Sequence, residues 1–182
     1  MKKTFQPHFT LLTAFILLAA LSRLLPHPPN FTPIGGMALF GAAYFSRQYW
    51  AILVPLAALW ISDLVINNVL FAEYFNGFSW FGIPVVYLSI ILIALMGRQV
   101  LRKIKITNLL IASLLASVVF FLVTNAGSWW MDPTYPKDGS GLLAAYVAGI
   151  PFFWNTLAGD LFFTAVLFGG YELVKQRFPA VA

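Results

Sequence analysis

Apolar runs long enough to cross a membrane recur along almost the whole chain, separated by short polar stretches. A spanning helix needs about 20 mainly apolar residues, because the hydrocarbon core is about 30 Å thick and a helix rises 1.5 Å per residue. The pattern therefore predicts an all-α polytopic membrane protein with about six transmembrane helices in one bundle, and a single transmembrane domain over residues 1–182. The predicted spans are residues 8–25, 31–46, 49–66, 82–97, 108–125 and 152–174.

Two segments allow a second interpretation, and a third is expected to form an additional short helix. The N-terminal run could be a secretory signal peptide, although it lacks a small-x-small cleavage site before a soluble domain. The second span is short and begins with Thr32-Pro33-Ile34-Gly35-Gly36, so it could be re-entrant. Before the sixth span, residues 142–150 are expected to form a short helix near the outer interface. Gly149 and Pro151 are expected to separate it from the span.

The distribution of basic residues predicts the orientation. Six spans with both termini in the cytoplasm place nine lysines and arginines inside and two outside, which is the positive-inside pattern. Five spans with the N-terminus outside place eight lysines and arginines inside and three outside, which fits the positive-inside pattern less well. The inner set is Lys2, Lys3, Arg47, Arg98, Arg102, Lys103, Lys105, Lys175 and Arg177, and the outer set is Arg23 and Lys137.

Composition agrees with a membrane protein. The chain is 60% hydrophobic and 9% charged, with a mean hydropathy of +0.84, whereas about a quarter of the residues in soluble domains are charged. The net charge of +5 lies in short loops between apolar runs, so we predict contact with the lipid bilayer and no nucleic-acid partner. The absence of cysteine excludes disulfides, thiolate metal sites and cysteine nucleophiles.

The sequence carries no recognisable catalytic motif. It has no nucleophile with an adjacent base, no phosphate-binding glycine loop and no intramembrane protease signature. His8 and His27 lie at opposite ends of the first predicted helix, which excludes a metal site built from both. We therefore predict a protein that is not an enzyme and has no metal or cofactor. A single axial contact from His27 to a bound cofactor is the alternative.

Two acidic residues, Asp63 and Asp160, lie inside predicted spans. A charge at the bilayer centre costs about 2.5–3.5 kcal/mol on insertion scales, so such residues usually face a cavity or a partner group. Contact with a ligand or ion is one interpretation, and a hydrogen bond between helices is the other. Polar stripes on three helices allow the same two interpretations: Thr156, Asp160 and Thr164; Trp60, Asp63 and Asn67; and Ser113, Ser117 and Thr124.

The outer loops concentrate aromatic and amide side chains, which are the usual mixture in small-molecule sites. An aromatic belt at the membrane surface is the alternative for the tryptophans. Because neither acid has a basic partner within a predicted span, we expect a cationic or neutral solute. The predicted substrate-binding residues, expected to line one enclosed outward-opening pocket, are Asn30, Phe31, Asp63, Asn67, Trp80, Asn125, Trp129, Trp130, Asn155 and Asp160.

Four stretches resemble a family of small, functionally uncharacterised bacterial membrane proteins described as transport proteins. They are residues 31–41, 61–63, 124–127 and 155–160, and the resemblance extends over about residues 5–178. It implies a multi-pass protein of the bacterial inner membrane. It names no solute.

More distantly, the layout is similar to the S components of energy-coupling-factor transporters. Those are six-helix proteins with cytoplasmic ends that bind vitamins or metal ions under their outer loops. The similarity implies an energy-coupling module as a possible partner. However, Ala14, Ala19 and Ala20 do not give the alanine-x-x-x-alanine spacing by which such components dock.

The leading hypothesis is a substrate-binding membrane transport protein of the S-component type that takes up a small vitamin-like or cationic solute. One alternative is a non-transporting scaffold resembling the rod-shape-determining membrane proteins. Another is a membrane subunit that acts on lipid or quinone. An enclosed outer cavity would favour the transport protein. A filled helix core would favour the scaffold, and a lateral opening towards lipid would favour the lipid or quinone subunit.

Overall fold

The computed structural model describes residues 7–178, and six α-helices account for most of them. Short helical turns follow the first and third helices, at Ser22–Leu24, Ile66–Leu70 and Ala72–Tyr74. The prediction of an all-α protein is confirmed. The six helices are α1 (Pro7–Leu21), α2 (Ile34–Tyr44), α3 (Gln48–Val65), α4 (Pro84–Val100), α5 (Ile106–Met131) and α6 (Gly139–Arg177).

Three helical segments are long and apolar enough to cross a membrane: Gln48–Leu70, Ile106–Met131 and Gly139–Arg177. The outer surfaces of these helices carry large apolar side chains, and Leu53, Leu114 and Phe162 are each about half exposed. A helix that is apolar on the face away from its neighbours needs lipid to cover it. The chain is therefore a membrane protein.

Helix α2 is short and lies at the centre of the bundle. Its 11 residues extend about 16 Å, roughly half the hydrocarbon thickness. All of its residues from Ile34 to Ala42 are buried, and it packs against each of the other five helices. Glycine and alanine at Gly35, Gly36 and Ala38 permit this close packing. The predicted second span is thus a half-length core helix.

Residues 25–33, which precede α2, are not helical, and their last part enters the bundle. Phe31 packs against Phe162 and Phe163 of α6, and Pro33 is fully buried. The Asn155 amide donates a hydrogen bond to the Pro29 carbonyl, at 2.9 Å. Non-helical backbone at membrane depth is tolerated only where protein covers it or where it lines a cavity. Residues 31–33, which lie at the start of the predicted second span, are therefore non-helical and pack into the bundle.

Helix α6 is continuous over 39 residues, with Pro151 in its interior. The predicted break at Gly149 and Pro151 is wrong. Proline removes one helical hydrogen bond, but neighbouring helices can compensate for this loss within a membrane. Here α5 packs against α6, and the Tyr146 hydroxyl donates to the Leu122 carbonyl at 2.9 Å, which holds the segment before the proline in place.

The helices alternate in direction, so the bundle has two different ends. Tyr171 near the end of α6 contacts His8 at the start of α1, while Tyr87 near the start of α4 contacts Asp63 near the end of α3. We call the end with the contact between Tyr171 and His8 the basic end. The opposite end, with the contact between Tyr87 and Asp63, is the loop end, and it carries linkers 22–33, 66–83 and 132–138. The basic end carries Arg47, Arg98, Arg102, Lys103, Lys105, Lys175 and Arg177. Lys2 and Lys3 lie outside the described residues.

Asp138 caps the N-terminus of α6. Its carboxylate accepts hydrogen bonds from the Ser140 hydroxyl and amide, at 2.6 and 2.9 Å, and from the Gly141 amide at 3.0 Å. The bond from the Ser140 side chain is the largest cause that lowers the pKa of Asp138 below its ordinary value of 3.8. The cap is therefore complete above pH 3.8 and is lost as the pH falls through the lower folded value.

We expect Asp138→Ala to accelerate hydrogen exchange at the Ser140 and Gly141 amides, because both lose their acceptor. Asp138→Asn is the matched control, since asparagine caps about as well but does not titrate in this range. Exchange measured by mass spectrometry should then be several-fold faster in the alanine variant. Equal exchange in all three proteins would show that the cap does not hold this end of α6.

Candidate functional site

A cavity of about 300 Å³ lies at the loop end between α4, α5 and α6. Among the described residues, its lining contains no charged side chain. The apolar part is mostly aromatic and β-branched: Ile83, Val85, Val86, Phe120, Phe121, Phe152 and Phe153. The polar part is Asn30, Thr124, Asn125, Ser128, Tyr135 and Thr156. The volume lies at the lower end of the range of about 300–1,000 Å³ for small-molecule sites.

Two hydroxyl hydrogens and one of the two Asn125 amide hydrogens are used within their own helices. Thr124 and Thr156 donate to carbonyl oxygens four residues earlier, at 2.7 and 3.1 Å, and the Asn125 amide does the same at 2.7 Å. The hydroxyl lone pairs and the Asn125 carbonyl oxygen remain as acceptors, and the second Asn125 amide hydrogen remains as a donor. This part of the cavity therefore suits a molecule that carries N–H or O–H donors.

Gly149 allows Asn125 to reach α6. A methyl group on Gly149 would overlap the Asn125 side-chain oxygen, so only glycine lets the amide lie directly against the helix backbone. Asn30 closes another side of the cavity from the linker before α2. Its backbone has φ of 63°, in the left-handed region that asparagine adopts more readily than most residues.

Asp63 forms a buried ion pair with Arg23. The two charged groups approach to 2.7 Å, with side-chain exposures of 8% and 13%, and the Tyr87 hydroxyl donates to the other carboxylate oxygen at 2.7 Å. Arg23 also donates to the Ser62 hydroxyl. The expectation that neither acid has a basic partner is therefore wrong for Asp63. The turn after α1 directs the long Arg23 side chain back onto α3.

Asp160 is 2% exposed and accepts hydrogen bonds from the Ser117 hydroxyl, at 2.7 Å, and from the Gly35 backbone amide. Gly35 lies in the first turn of α2, so the carboxylate sits where the helix dipole and the free amides favour a negative group. A methyl group on Gly35 would overlap the carboxylate. Asp160 thus joins α2, α5 and α6. Thr156, one turn earlier, lines the cavity, whereas Asp160 does not.

The polar stripes of α5 and α6 meet each other below the cavity. Ser113 donates to Thr164 at 3.1 Å, one turn from the contact between Ser117 and Asp160. At this level the polar stripes hold the two helices together by hydrogen bonds and do not contact a ligand cavity. Within residues 7–178, every buried side-chain nitrogen and oxygen has a hydrogen-bond partner.

The structure does not place the predicted tryptophans in the lining of this cavity. Trp80 is 62% exposed and Trp130 is 72% exposed, while the Trp129 ring nitrogen donates to the Pro136 carbonyl at 2.8 Å. Asn67 donates to Ser79 within the linker after α3, at 3.3 Å. Phe31 and Asn155 hold the segment before α2 on α6. Of the ten predicted residues, the cavity lining contains Asn30 and Asn125.

Sequence reasoning missed the phenylalanine pairs and Tyr135. Phe120 and Phe121 precede Thr124 and Asn125 by four residues, and Phe152 precedes Thr156 by the same spacing. Residues four apart share a helix face. An aromatic residue one turn before each polar residue was therefore the available signal for this lining.

No curated protein and no solved structure matches this chain. A family model does match, over residues 3–181, which is nearly the whole sequence. The protein therefore belongs to DUF6580, a family of unknown function.

Proposed function

We propose that this protein is a substrate-binding membrane transport protein, and that its solute is a small neutral molecule of vitamin-like character. The cavity between α4, α5 and α6 carries the proposal, because it combines aromatic walls with hydrogen-bond acceptors at the loop end of the bundle. The lining residues carry no formal charge, which favours a neutral solute over a cationic one. Neither intramembrane acid is part of the lining.

The chemistry of the lining suggests how such a solute is held. Phe121 and Phe153, which pack edge to face with centroids 5.5 Å apart, offer flat apolar surface to a ring system. Thr124, Asn125 and Thr156 offer acceptors to its N–H or O–H groups. A planar heterocycle with several donors meets both requirements.

We further propose that the chain crosses the inner membrane six times, with both ends in the cytoplasm. The alternating helix directions and the cluster of lysine and arginine at the basic end support this topology. In it, α2 and the buried linker before it together make one crossing. Reporter fusions at Arg47, Lys103 and Arg177 should read as cytoplasmic, and fusions at Asn76 and Lys137 as external. A cytoplasmic reading at Asn76 would contradict the six-span topology.

Native mass spectrometry of the purified protein tests the proposed function. We expect wild-type protein to carry a co-purified small molecule and Ala148→Trp to lack it, because Ala148 lines the cavity and an indole there would fill it. Ala158→Trp is the matched control, since Ala158 is an exposed residue of the same helix and lies outside the lining. It should retain the molecule.

Three results would contradict the proposal. Equal retention of the molecule in both tryptophan variants would place binding outside this cavity. Wild-type protein free of any small molecule, when purified from cells grown in rich medium, would favour the scaffold, in which Asp63 and Asp160 serve only to join helices. A co-purified lipid or quinone would favour the third hypothesis instead.

A further inference from the structure

A second cavity, of about 780 Å³, opens at the basic end of the bundle. It lies between the connection from α2 to α3 and the C-terminal turns of α4, at the opposite end from the candidate solute site. Its polar lining is Tyr44, Ser46, Gln48, Arg98, Gln99 and Arg102, and the Tyr44 hydroxyl donates to Glu172, outside the lining, at 3.1 Å. Acidic residues are absent from the described lining, so the cavity carries two positive charges without a compensating carboxylate.

The Arg98 guanidinium is held in a fixed position. It donates to the Phe45 carbonyl at 3.0 Å and to the Ser46 carbonyl at 2.6 Å. A guanidinium has five N–H donors, so these two bonds orient the group and leave donors for an anion. Arg102 lies in the turn after α4, is exposed and lines the same cavity. Two arginines in this arrangement suit a phosphate group, which can accept from both.

An apolar stripe leads away from this cavity along α4. Leu88, Leu92 and Leu95 follow one another at spacings of four and three residues, which places them on one helix face. Leu88 is 46% exposed and Leu92 is 37% exposed, while Leu95 lines the cavity itself. A ligand that fits both features has an anionic head and a hydrocarbon tail.

We propose that this cavity binds the headgroup of an anionic glycerophospholipid, with its phosphate between Arg98 and Arg102 and one acyl chain along Leu95, Leu92 and Leu88. Basic pockets between membrane helices recognise anionic headgroups in this way. The apolar stripe favours a membrane lipid over a free phosphate compound, because a soluble anion would leave those leucines unused. This inference does not depend on the proposed solute or its cavity.

Binding of short-chain phosphatidylglycerol to the purified full-length chain in neutral detergent tests the proposal. We expect wild type to bind phosphatidylglycerol more tightly than phosphatidylcholine of the same chain length. Arg102→Gln should weaken phosphatidylglycerol binding about fivefold, the effect of one basic residue near an anionic headgroup. Arg102 is exposed, so its replacement should leave the fold unchanged. Arg177→Gln, at an exposed arginine of the same end outside this cavity, should change the affinity less than twofold.

Three outcomes would overturn the proposal. Equal affinity for the two lipids would remove the role of headgroup charge. Equal losses in Arg102→Gln and Arg177→Gln would show general attraction to the basic end and no defined site. Displacement of phosphatidylglycerol by an equal concentration of glycerol 3-phosphate would identify a site for a soluble phosphate compound.

Discussion

Replacement of Arg23 by methionine should lower the free energy of unfolding by about 3–5 kcal/mol, the usual cost of removing one partner of a buried ion pair. Asp63 would remain buried with the Tyr87 hydroxyl as a donor but without a cation. Methionine fills a similar volume, so little cavity is created. The loss of unfolding free energy therefore measures mainly the removal of the charge and its hydrogen bonds. Unfolding in mixed micelles of neutral detergent and dodecyl sulfate would measure it.

The double variant Arg23→Met/Asp63→Leu tests whether the loss of stability comes from leaving the Asp63 charge buried without its partner. Because both charges are then absent, its stability should recover most of the loss, as buried pairs replaced by apolar residues often do. Arg177→Met, at an exposed arginine, should stay within about 0.5 kcal/mol of wild type. A single Arg23→Met variant as stable as that control would show that the ion pair contributes nothing.

Replacement of Gly35 by alanine should cost about 1–3 kcal/mol or more, in the range for overpacking a core. The added methyl group would overlap the Asp160 carboxylate, and both residues are buried. The carboxylate would have to move away from the first turn of α2, which weakens its bonds to the Gly35 amide and the Ser117 hydroxyl. Loss of stability and a loosened contact between α2 and α6 should therefore appear together.

Gly169→Ala is the matched control, because it introduces the same change in a helix where the methyl group meets no atom within 4 Å. There alanine should stabilise by up to about 1 kcal/mol. Adding Asp160→Ala to Gly35→Ala should restore part of the stability, since Ser117 can still donate to the Ser113 carbonyl, at 3.0 Å. Equal stability of the Gly35→Ala and Gly169→Ala variants would contradict the close contact.

The helices could be predicted because lipid imposes a length and an apolar composition that are visible in each segment. Helices α3 and α4 begin and end within a few residues of the predicted spans. The error at Pro151 has a different origin. A local rule predicts that proline ends a helix, but packing against α5 and the Tyr146 hydroxyl hold the segment before it, and neither is visible in the local sequence.

The site could be predicted only in part. Asn30 and Asn125 were identifiable as polar residues next to apolar spans. Because α5 and α6 are apolar on most faces, the spacing of their phenylalanines from nearby polar residues did not by itself show that this face lines a cavity. The pairing of Asp63 was equally hidden. It depends on the turn at Ser22–Leu24, which brings Arg23 of the first linker against α3.

Protection of a single introduced cysteine tests the central claim, that a small solute occupies the cavity between α4, α5 and α6. The chain has no native cysteine, so the introduced thiol would be the one labelled group. Ser128→Cys would place it on the cavity lining, and Asn76→Cys would place it in an exposed linker at the same end. The probe is the low-molecular-mass extract released by denaturing wild-type protein. At about ten times the dissociation constant of its solute, the extract should slow maleimide labelling of Ser128→Cys about tenfold and leave Asn76→Cys unchanged. Equal labelling of Ser128→Cys with and without the extract would contradict the account.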